Sequence, residues 1–520
     1  MRFTSLAFLI FVALTVLCYY LFPRAKRWWV LLLADYVFYF FAGKEFLPFI
    51  LFTTVVTYAF ARSMQALTDR EAKFLETNRE TLSKEERKAI RAKYKTRRRW
   101  VLICGAILGF GMLAVLKYTG FVVSLFRSNG IPNLILPLGI SFYTFQSMGY
   151  LIDVSRGKVS AERNFFKTAL FVSFFPQLVQ GPISRFGDLE PQLIEGHPFD
   201  SLNLRSGLLR AAYGYFKKMV VADTAMIAVQ TLAARADELT GGYVVLMILL
   251  YSAVIYGDFT GGIDIALGIA EMLGIHPAEN FNRPFSSRSV KEYWNRWHIT
   301  MGAWFTDYVF YPLSVSIPMQ KLSKWSRAHL GQALGKRIPV YLATIFTWFL
   351  TGLWHGAGWN FIVWGLLNCL LLLVSQELKP LWSLWQNKFP KLCASAPWHI
   401  WQATRTFLLM GLVRSLDVYK NVPKTFRLWG TIFTTFNWGD IFSGGWLKLG
   451  LGVADYAVLA GGILVILLVS QLGKSAPLRI RTAQKPVLTI LLLCSFVGLI
   501  LLFGTYGIEY NAGDFIYRTF

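Results

Sequence analysis

The chain has 520 residues, 55% of them hydrophobic and only 16% charged, yet 53 Lys and Arg against 29 Asp and Glu leave a net charge of +24. A soluble domain carries about 25% charged residues, so ordinary soluble folding is excluded, and so is a disordered basic protein, which lacks this much apolar content. The apolar residues stand in long blocks, which argues against a soluble nucleic-acid binder. The composition fits an all-α polytopic membrane protein, since lipid cannot satisfy exposed backbone groups, with basic residues gathered on its cytoplasmic face.

In chain order, residues 3–23 carry no charge. Tyr19, Tyr20 and Phe22 stand where a signal peptide would need small residues, so this reads as a retained first helix. Apolar stretches at 28–42 and 46–61 follow. Residues 62–99 then hold 13 Lys and Arg against 6 Asp and Glu. Glu and Lys pairs three and four apart favour a helix there, with Thr81 ahead of Lys84, Glu85 and Glu86 as its expected start. The positive-inside rule puts this segment in the cytoplasm, as it does the basic loop of Arg24, Lys26 and Arg27. The run could also attract anionic headgroups or an acidic nucleotide. The N-terminus is then expected outside. Lys474, Arg479, Arg481 and Lys485 mark another cytoplasmic loop, with the tail 504–520 outside after one last helix.

Further apolar stretches cover 100–116, 132–152, 166–184, 207–233, 242–270, 301–316, 403–413, 456–472 and 486–503. Residues 338–376 lack Asp, Glu, Lys and Arg throughout, long enough for two spans at about 20 residues each. The chain thus predicts about eleven to thirteen membrane segments, some tilted or re-entrant. The five cysteines show no paired spacing, so neither a disulfide framework nor a zinc knuckle is expected, and they read as small core residues. No internal repeat is evident, which weakens an inverted-repeat transporter reading.

Ionisable residues at membrane depth are costly and mark candidate sites. His355, in Thr351-Gly-Leu-Trp-His-Gly-Ala-Gly-Trp-Asn360, is the one imidazole of the uncharged block. Trp354 and Trp359 offer rigid walls, and Gly356 and Gly358 allow close approach. A buried neutral imidazole can take a proton from an alcohol. The alternative is a core histidine bonded to Asn360 or a carbonyl. His298 lies in a second cluster with Trp297, Arg296 and Lys291, which also reads as an interfacial belt. Asp258 and Asp264 flank Gly261-Gly262, where a helix break could face a polar cavity, cradle phosphate or fix tertiary contacts. Ser141 and Gln180 sit in two Pro- and Gly-interrupted segments that could line a channel. There is no Walker A loop and no HExxH. The six histidines show no clustered metal spacing, and no metal is expected.

The segments PLGISFYTFQ (137–146), FFPQLVQGPISR (174–185), YGDFTGGIDIALG (256–268), NFNRPF (280–285), YWNRWHIT (293–300) and GLWHGAGWNFIVWG (352–365) together resemble the membrane-bound O-acyltransferase (MBOAT) family. The match is most similar to its bacterial alginate O-acetyltransferase type, with teichoic acid D-alanyl transferases close by. Positions 257 and 260–262 depart from that pattern, as do Arg518 and Thr519 in the ending 514–520. The resemblance implies a ring of tilted and re-entrant helices around a central funnel. It carries catalytic identity onto His355 and a second important histidine onto His298. Asn360, Trp354, Trp297, Asp258, Gln180 and Ser141 become candidates for the acyl channel, and Arg283, Arg288, Lys291 and Arg296 for donor binding, though these four also read as a topology-setting loop.

The expected organisation is N-terminal membrane helices over 1–62, a basic cytoplasmic helical segment over 63–99, a catalytic core over 100–420, and C-terminal helices with an extracytoplasmic tail over 421–520. The implied enzyme sits in the bacterial inner membrane, among membrane lipid. It holds no bound cofactor and uses acetyl-CoA as donor, an extracytoplasmic polysaccharide as acceptor, and an SGNH-hydrolase-like acyltransferase partner outside. No nucleic acid is involved. Two other readings remain at this stage: a D-alanyl transferase fed by a carrier-protein thioester, and a non-catalytic polysaccharide or lipid-linked transporter.

Overall fold

A computed structural model describes residues 2–127, 134–473 and 478–506. Lys474 and the family-like ending 514–520 lie outside the described residues. The described chain is helical, and its one β-type pairing is an antiparallel bridge between Phe281 and Trp297. Two compact units divide it, Met1–Gly207 with Ala266–Ala278, and Leu208–Ile265 with Glu279–Phe520.

The first unit begins with α1 (Leu6–Leu21), started by Ser5, whose Oγ accepts from the Phe8 amide at 3.2 Å. α2 (Arg27–Ala42) follows. α3 (Leu47–Thr77) runs without a break from apolar into charged sequence, and α4 (Lys84–Ser124) from charged into apolar. The basic segment is therefore the continuation of two long apolar helices. Its second helix starts two residues later than expected, because Ser83 and not Thr81 supplies the cap. Ser83 Oγ accepts from the Glu86 amide at 3.2 Å while Glu86 Oε2 accepts from the Ser83 amide at 2.8 Å. An ion pair between Arg98 and Glu71 ties the two arms.

α5 (Ile140–Ser155) is buried over nearly its whole length. The stretch expected at 166–184 is broken into α6 (Phe165–Ser173) and α7 (Phe175–Leu178). Pro176 sits in the first turn of α7, and the buried carboxylate of Asp35 accepts from the Phe175 amide at 2.7 Å and from Ser173 Oγ at 3.1 Å. Asp35 thus holds the break open as a cap. α8 (Phe186–Glu195) completes this part.

α9 (Ser201–Phe216), which enters the second unit at Leu208, passes through a π-helical turn, Lys217–Ala222, into α10 (Asp223–Ala234). α11 (Gly242–Met272) runs straight through Gly261-Gly262, so the expected helix break is absent. The glycine instead admits a neighbour: a Cβ on Gly261 would stand 2.8 Å from the Gly214 carbonyl oxygen. The stretch 301–316 is a chain of short pieces, α12 (Val290–Arg296) leading to α13 (Ile299–Phe305), a π turn Thr306–Phe310 and α14 (Tyr311–Ser314). The uncharged block forms the end of α15 (Ile317–His355) and most of α16 (Trp359–Glu377). α17 (Lys379–Lys388), α18 (Pro390–Cys393), α19 (Ala396–Tyr419), α20 (Val422–Thr434) and α21 (Trp438–Phe442) lead to α22 (Val453–Leu472), α23 (Leu478–Ala483) and α24 (Pro486–Phe503).

Among the described residues seven helical stretches are long and apolar enough to cross a membrane, those of α3, α4, α11, α15, α16, α22 and α24, and α1 is a shorter apolar helix. The chain is an all-α multi-pass membrane protein. Its outward faces carry large apolar side chains such as Leu14, Leu464 and Leu491, as a surface in contact with lipid requires. Cys18, Cys104 and Cys494 lie on such exposed faces, and Cys369 alone is buried, so the cysteines do not serve mainly as core packing.

Candidate active site

His355 is the last residue of α15 and is buried. Two glycine features set its position. Gly331 (φ 80°, ψ 163°) interrupts α15, and Ser326 Oγ donates to the Gly335 carbonyl at 2.8 Å, so the arms 317–330 and 332–355 fold back on each other. Such a left-handed turn suits glycine, which has no Cβ to clash. The second feature is the crossing of α15 and α16. A Cβ on Gly365 would meet the Trp348 carbonyl oxygen at 2.4 Å and the Gly352 Cα at 3.0 Å. Main chain touches main chain there, and the extended Gly356–Gly358 link returns the chain just beyond His355. The imidazole packs edge-on to Trp364 at 4.5 Å between centroids and to Trp354 at 4.9 Å.

His298 also approaches the indole of Trp354. Its ring centroid is 5.8 Å from that of Trp354 and 4.8 Å from that of Phe259 on α11. Trp354 therefore contacts both histidines. His298 is fully buried at the start of α13 in a left-handed backbone conformation (φ 50°), which is strained for a residue with a Cβ. The segment 280–282 holds it there. The Ile299 amide donates to the Asn280 carbonyl at 3.0 Å, the Asn282 amide donates to the Arg296 carbonyl at 3.0 Å, and Phe281 bridges to Trp297. The Asn280 side chain completes the grip. Its Oδ1 accepts from the Thr300 amide at 3.0 Å and from Thr300 Oγ1 at 2.9 Å, and its amide lies 3.1 Å from His298 Nδ1. Burial first, and the Arg414 charge second, lower the His298 pKa from 6.5 to about 3. The ring is neutral at physiological pH.

Trp297 stacks on Tyr293 at 5.7 Å and 12°, and the Arg414 guanidinium of α19 lies over the Trp297 ring, 4.1 Å from its centroid. Arg414 Nη2 also donates to Tyr293 Oη at 3.0 Å. A desolvated cation held on an indole in this way is strongly favoured. Arg414 and Asn280 were not legible as site residues, being 116 and 18 positions from His298 in a sequence that shows no pairing signal between them.

The other expected residues disperse. Asn360 Nδ2 donates to the Leu416 carbonyl at 3.4 Å. Asp258 faces Lys218 at 2.6 Å, and Lys218 also meets Asp223 at 2.8 Å. Asp264 takes Lys217 at 2.6 Å and Arg210 at 2.9 Å. The π turn, with its wider spacing, lets the adjacent Lys217 and Lys218 both reach α11. The carboxylates of the 242–270 stretch are thus matched by cations inside the 207–233 stretch, a signal present in the charges of both. Ser141 and Gln180 are buried in the first unit. The four donor-binding candidates do not converge. Arg296 pairs with Glu292 at 2.6 Å, Arg288 and Lys291 are exposed, and Arg283 lines a cavity.

Residues 158–395 match the membrane-bound O-acyltransferase family. The chain is 31% identical to the probable alginate O-acetylase of Azotobacter vinelandii over 84% of its own length and 79% of that protein. It is 30% identical to the peptidoglycan O-acetyltransferase of Helicobacter pylori over 76% and 71%. To the teichoic acid D-alanyltransferase of Bacillus subtilis it is 29% identical over 46% and 59%. The extent of these matches, over a helical chain with membrane-length segments, makes the protein a member of the membrane-bound O-acyltransferase family, a multi-pass membrane enzyme that transfers acyl groups to oxygen.

Proposed function

We propose that the enzyme moves an acetyl group from acetyl-CoA, entering from the cytoplasmic side of the bacterial inner membrane, toward hydroxyls of an extracytoplasmic polysaccharide. The observation that carries this reading is the pair of buried imidazoles on one indole, His355 and His298 about Trp354. His355 acts as general base. It takes the acceptor's hydroxyl proton as the oxygen attacks the thioester carbonyl, and the proton passes to the departing thiolate, which leaves as CoA. Burial in an aromatic shell keeps water from competing. His298, held by Asn280, holds or polarises the acyl carbonyl. Asn360, tied to the Leu416 carbonyl, steadies the link after His355. The first accepting hydroxyl belongs to an SGNH-hydrolase-like partner on the outer face, which holds the acetyl as an ester and passes it to a polysaccharide hydroxyl, regaining its own hydroxyl.

Acetyl is preferred over D-alanyl because the alginate-type relative aligns over 84% of the chain and the D-alanyl transferase over 46%. The test uses membranes containing the full chain and labelled donors. His355→Ala is expected to lower acetyl transfer by about 10²–10⁴-fold, with expression and insertion unchanged. Undiminished transfer in that variant overturns the base role. Label from a charged carrier protein, with none from acetyl-CoA, would establish the D-alanyl reading instead.

A further inference from the structure

A second site has neither histidine in its lining. A cavity of about 520 Å³ in the second unit has one polar end and one apolar wall. At the polar end four cations meet two carboxylates, which leaves two positive charges. Three of the cations pair with the two carboxylates, Arg479 at the longest distance. Arg210 spends its fork on Glu279 at 2.8 and 2.6 Å and its Nε on Asp264 at 2.9 Å, while Lys217 Nζ lies 2.6 Å from Asp264. Both Glu279 oxygens are engaged by Arg210, and Arg479 stands 3.8 Å from the nearer one. Arg283 makes no side-chain hydrogen bond or ion pair to the described residues, and its backbone is held in the left-handed region at φ 46°. An arginine kept in a strained conformation at a cavity with excess positive charge is arranged for an anion from outside the protein.

The apolar wall identifies the rest of that ligand. It comes from α22 and α24, two membrane-length helices of whose most apolar stretches only 17% and 6% is buried. Leu468 and Leu472 line the cavity and are also 52% and 59% exposed on the lipid-facing side of α22. A ligand can therefore keep its chain along the bilayer face while its head reaches the arginines. Arg479, on α23, comes between these two apolar helices in the chain, and basic residues that flank membrane helices meet anionic lipid.

We propose that this cavity binds a phospholipid with a net negative phosphate headgroup, the phosphate held by Arg283 and Arg479 and an acyl chain lying against Leu468, Leu472 and Phe496. The inference is independent of the acyl donor and of the histidines' roles. The same arginines could also accept the phosphate of a soluble molecule, so the test separates the two sources.

Full-length protein in a neutral detergent is titrated with dioleoyl-phosphatidylglycerol, dioleoyl-phosphatidylcholine, inorganic phosphate or CoA, and read by thermal unfolding and by lipid adducts in native mass spectrometry. Phosphatidylglycerol is expected to raise Tm and to form a one-lipid adduct, and phosphatidylcholine is expected to do neither. Arg283→Gln is expected to weaken phosphatidylglycerol binding about tenfold, the loss of a charge-assisted contact. Arg479→Gln should act in the same direction and carries the test if the first variant is not recovered folded. Lys485→Gln, a basic residue outside the cavity, should bind as wild type. Equal stabilisation by phosphatidylcholine overturns the proposal, as does full retention of the phosphatidylglycerol adduct in both arginine variants. An equal, Arg283-dependent shift from inorganic phosphate or CoA would replace the lipid with a soluble anion.

Discussion

Two imidazoles share one tryptophan, and their environments differ. His298 has its pKa lowered to about 3 by burial and by Arg414. Between that value and about 6.5, the unfolded chain binds a proton there that the folded chain refuses. Its contribution to stability is therefore complete above about pH 6.5 and declines as pH falls toward 3. His298→Gln is expected to flatten the fall of Tm between pH 6.5 and pH 4 relative to wild type, which thermal unfolding in detergent at matched ionic strength would show. An unchanged slope would mean that the ring titrates normally in the folded protein. His355 was easy to find from sequence because nothing else in 338–376 titrates. His298 was visible as a residue, but its support was not. Asn280 reaches it through a backbone pairing that brings 280–282 beside 296–299, and no periodicity announces such a short bridge.

Among the elements, the π turn of Lys217–Ala222 carries a strong commitment. Lys218 sits between Asp258 and Asp223, all three buried. Lys218→Ala would leave two carboxylates without their cation, which costs about 3–5 kcal/mol. Adding Asp258→Asn should restore part of that loss, and a double-mutant cycle on the unfolding free energy measures the coupling. The α15–α16 crossing makes a second expectation. Gly365→Val has no space between the Trp348 carbonyl and Gly352, so the helices must part, at a cost of about 1–3 kcal/mol or more. The expected readout is a lower Tm together with reduced transfer activity. Long apolar helices were legible as elements because their length alone demands them. The breaks were less so. Asp35 caps α7 from 140 residues away, and the glycine pair in α11 serves close packing against Gly214, which a sequence pattern alone does not distinguish from a break.

Across the whole chain, charge decides orientation. Residues 62–99, with 13 Lys and Arg, form the charged ends of α3 and α4 and are expected in the cytoplasm. In a cysteine-free background, Lys88→Cys should react with a membrane-impermeant maleimide in inverted vesicles and stay unlabelled in intact spheroplasts. The opposite pattern would invert the topology. Polytopic character could be read from composition, since apolar blocks of this length have few other uses. The partition into two units could not, because it depends on which distant segments meet. The glycine crossing below His355 has one further consequence. Main-chain contact between Gly352 and Gly365 fixes where His355 stands, whereas Trp354 and Trp364 determine the space around it. Changes to the indoles can then reshape the space beside His355 without relocating its imidazole. A lineage is free to exchange one acyl group or acceptor for another by altering the furniture while the foundation stays put.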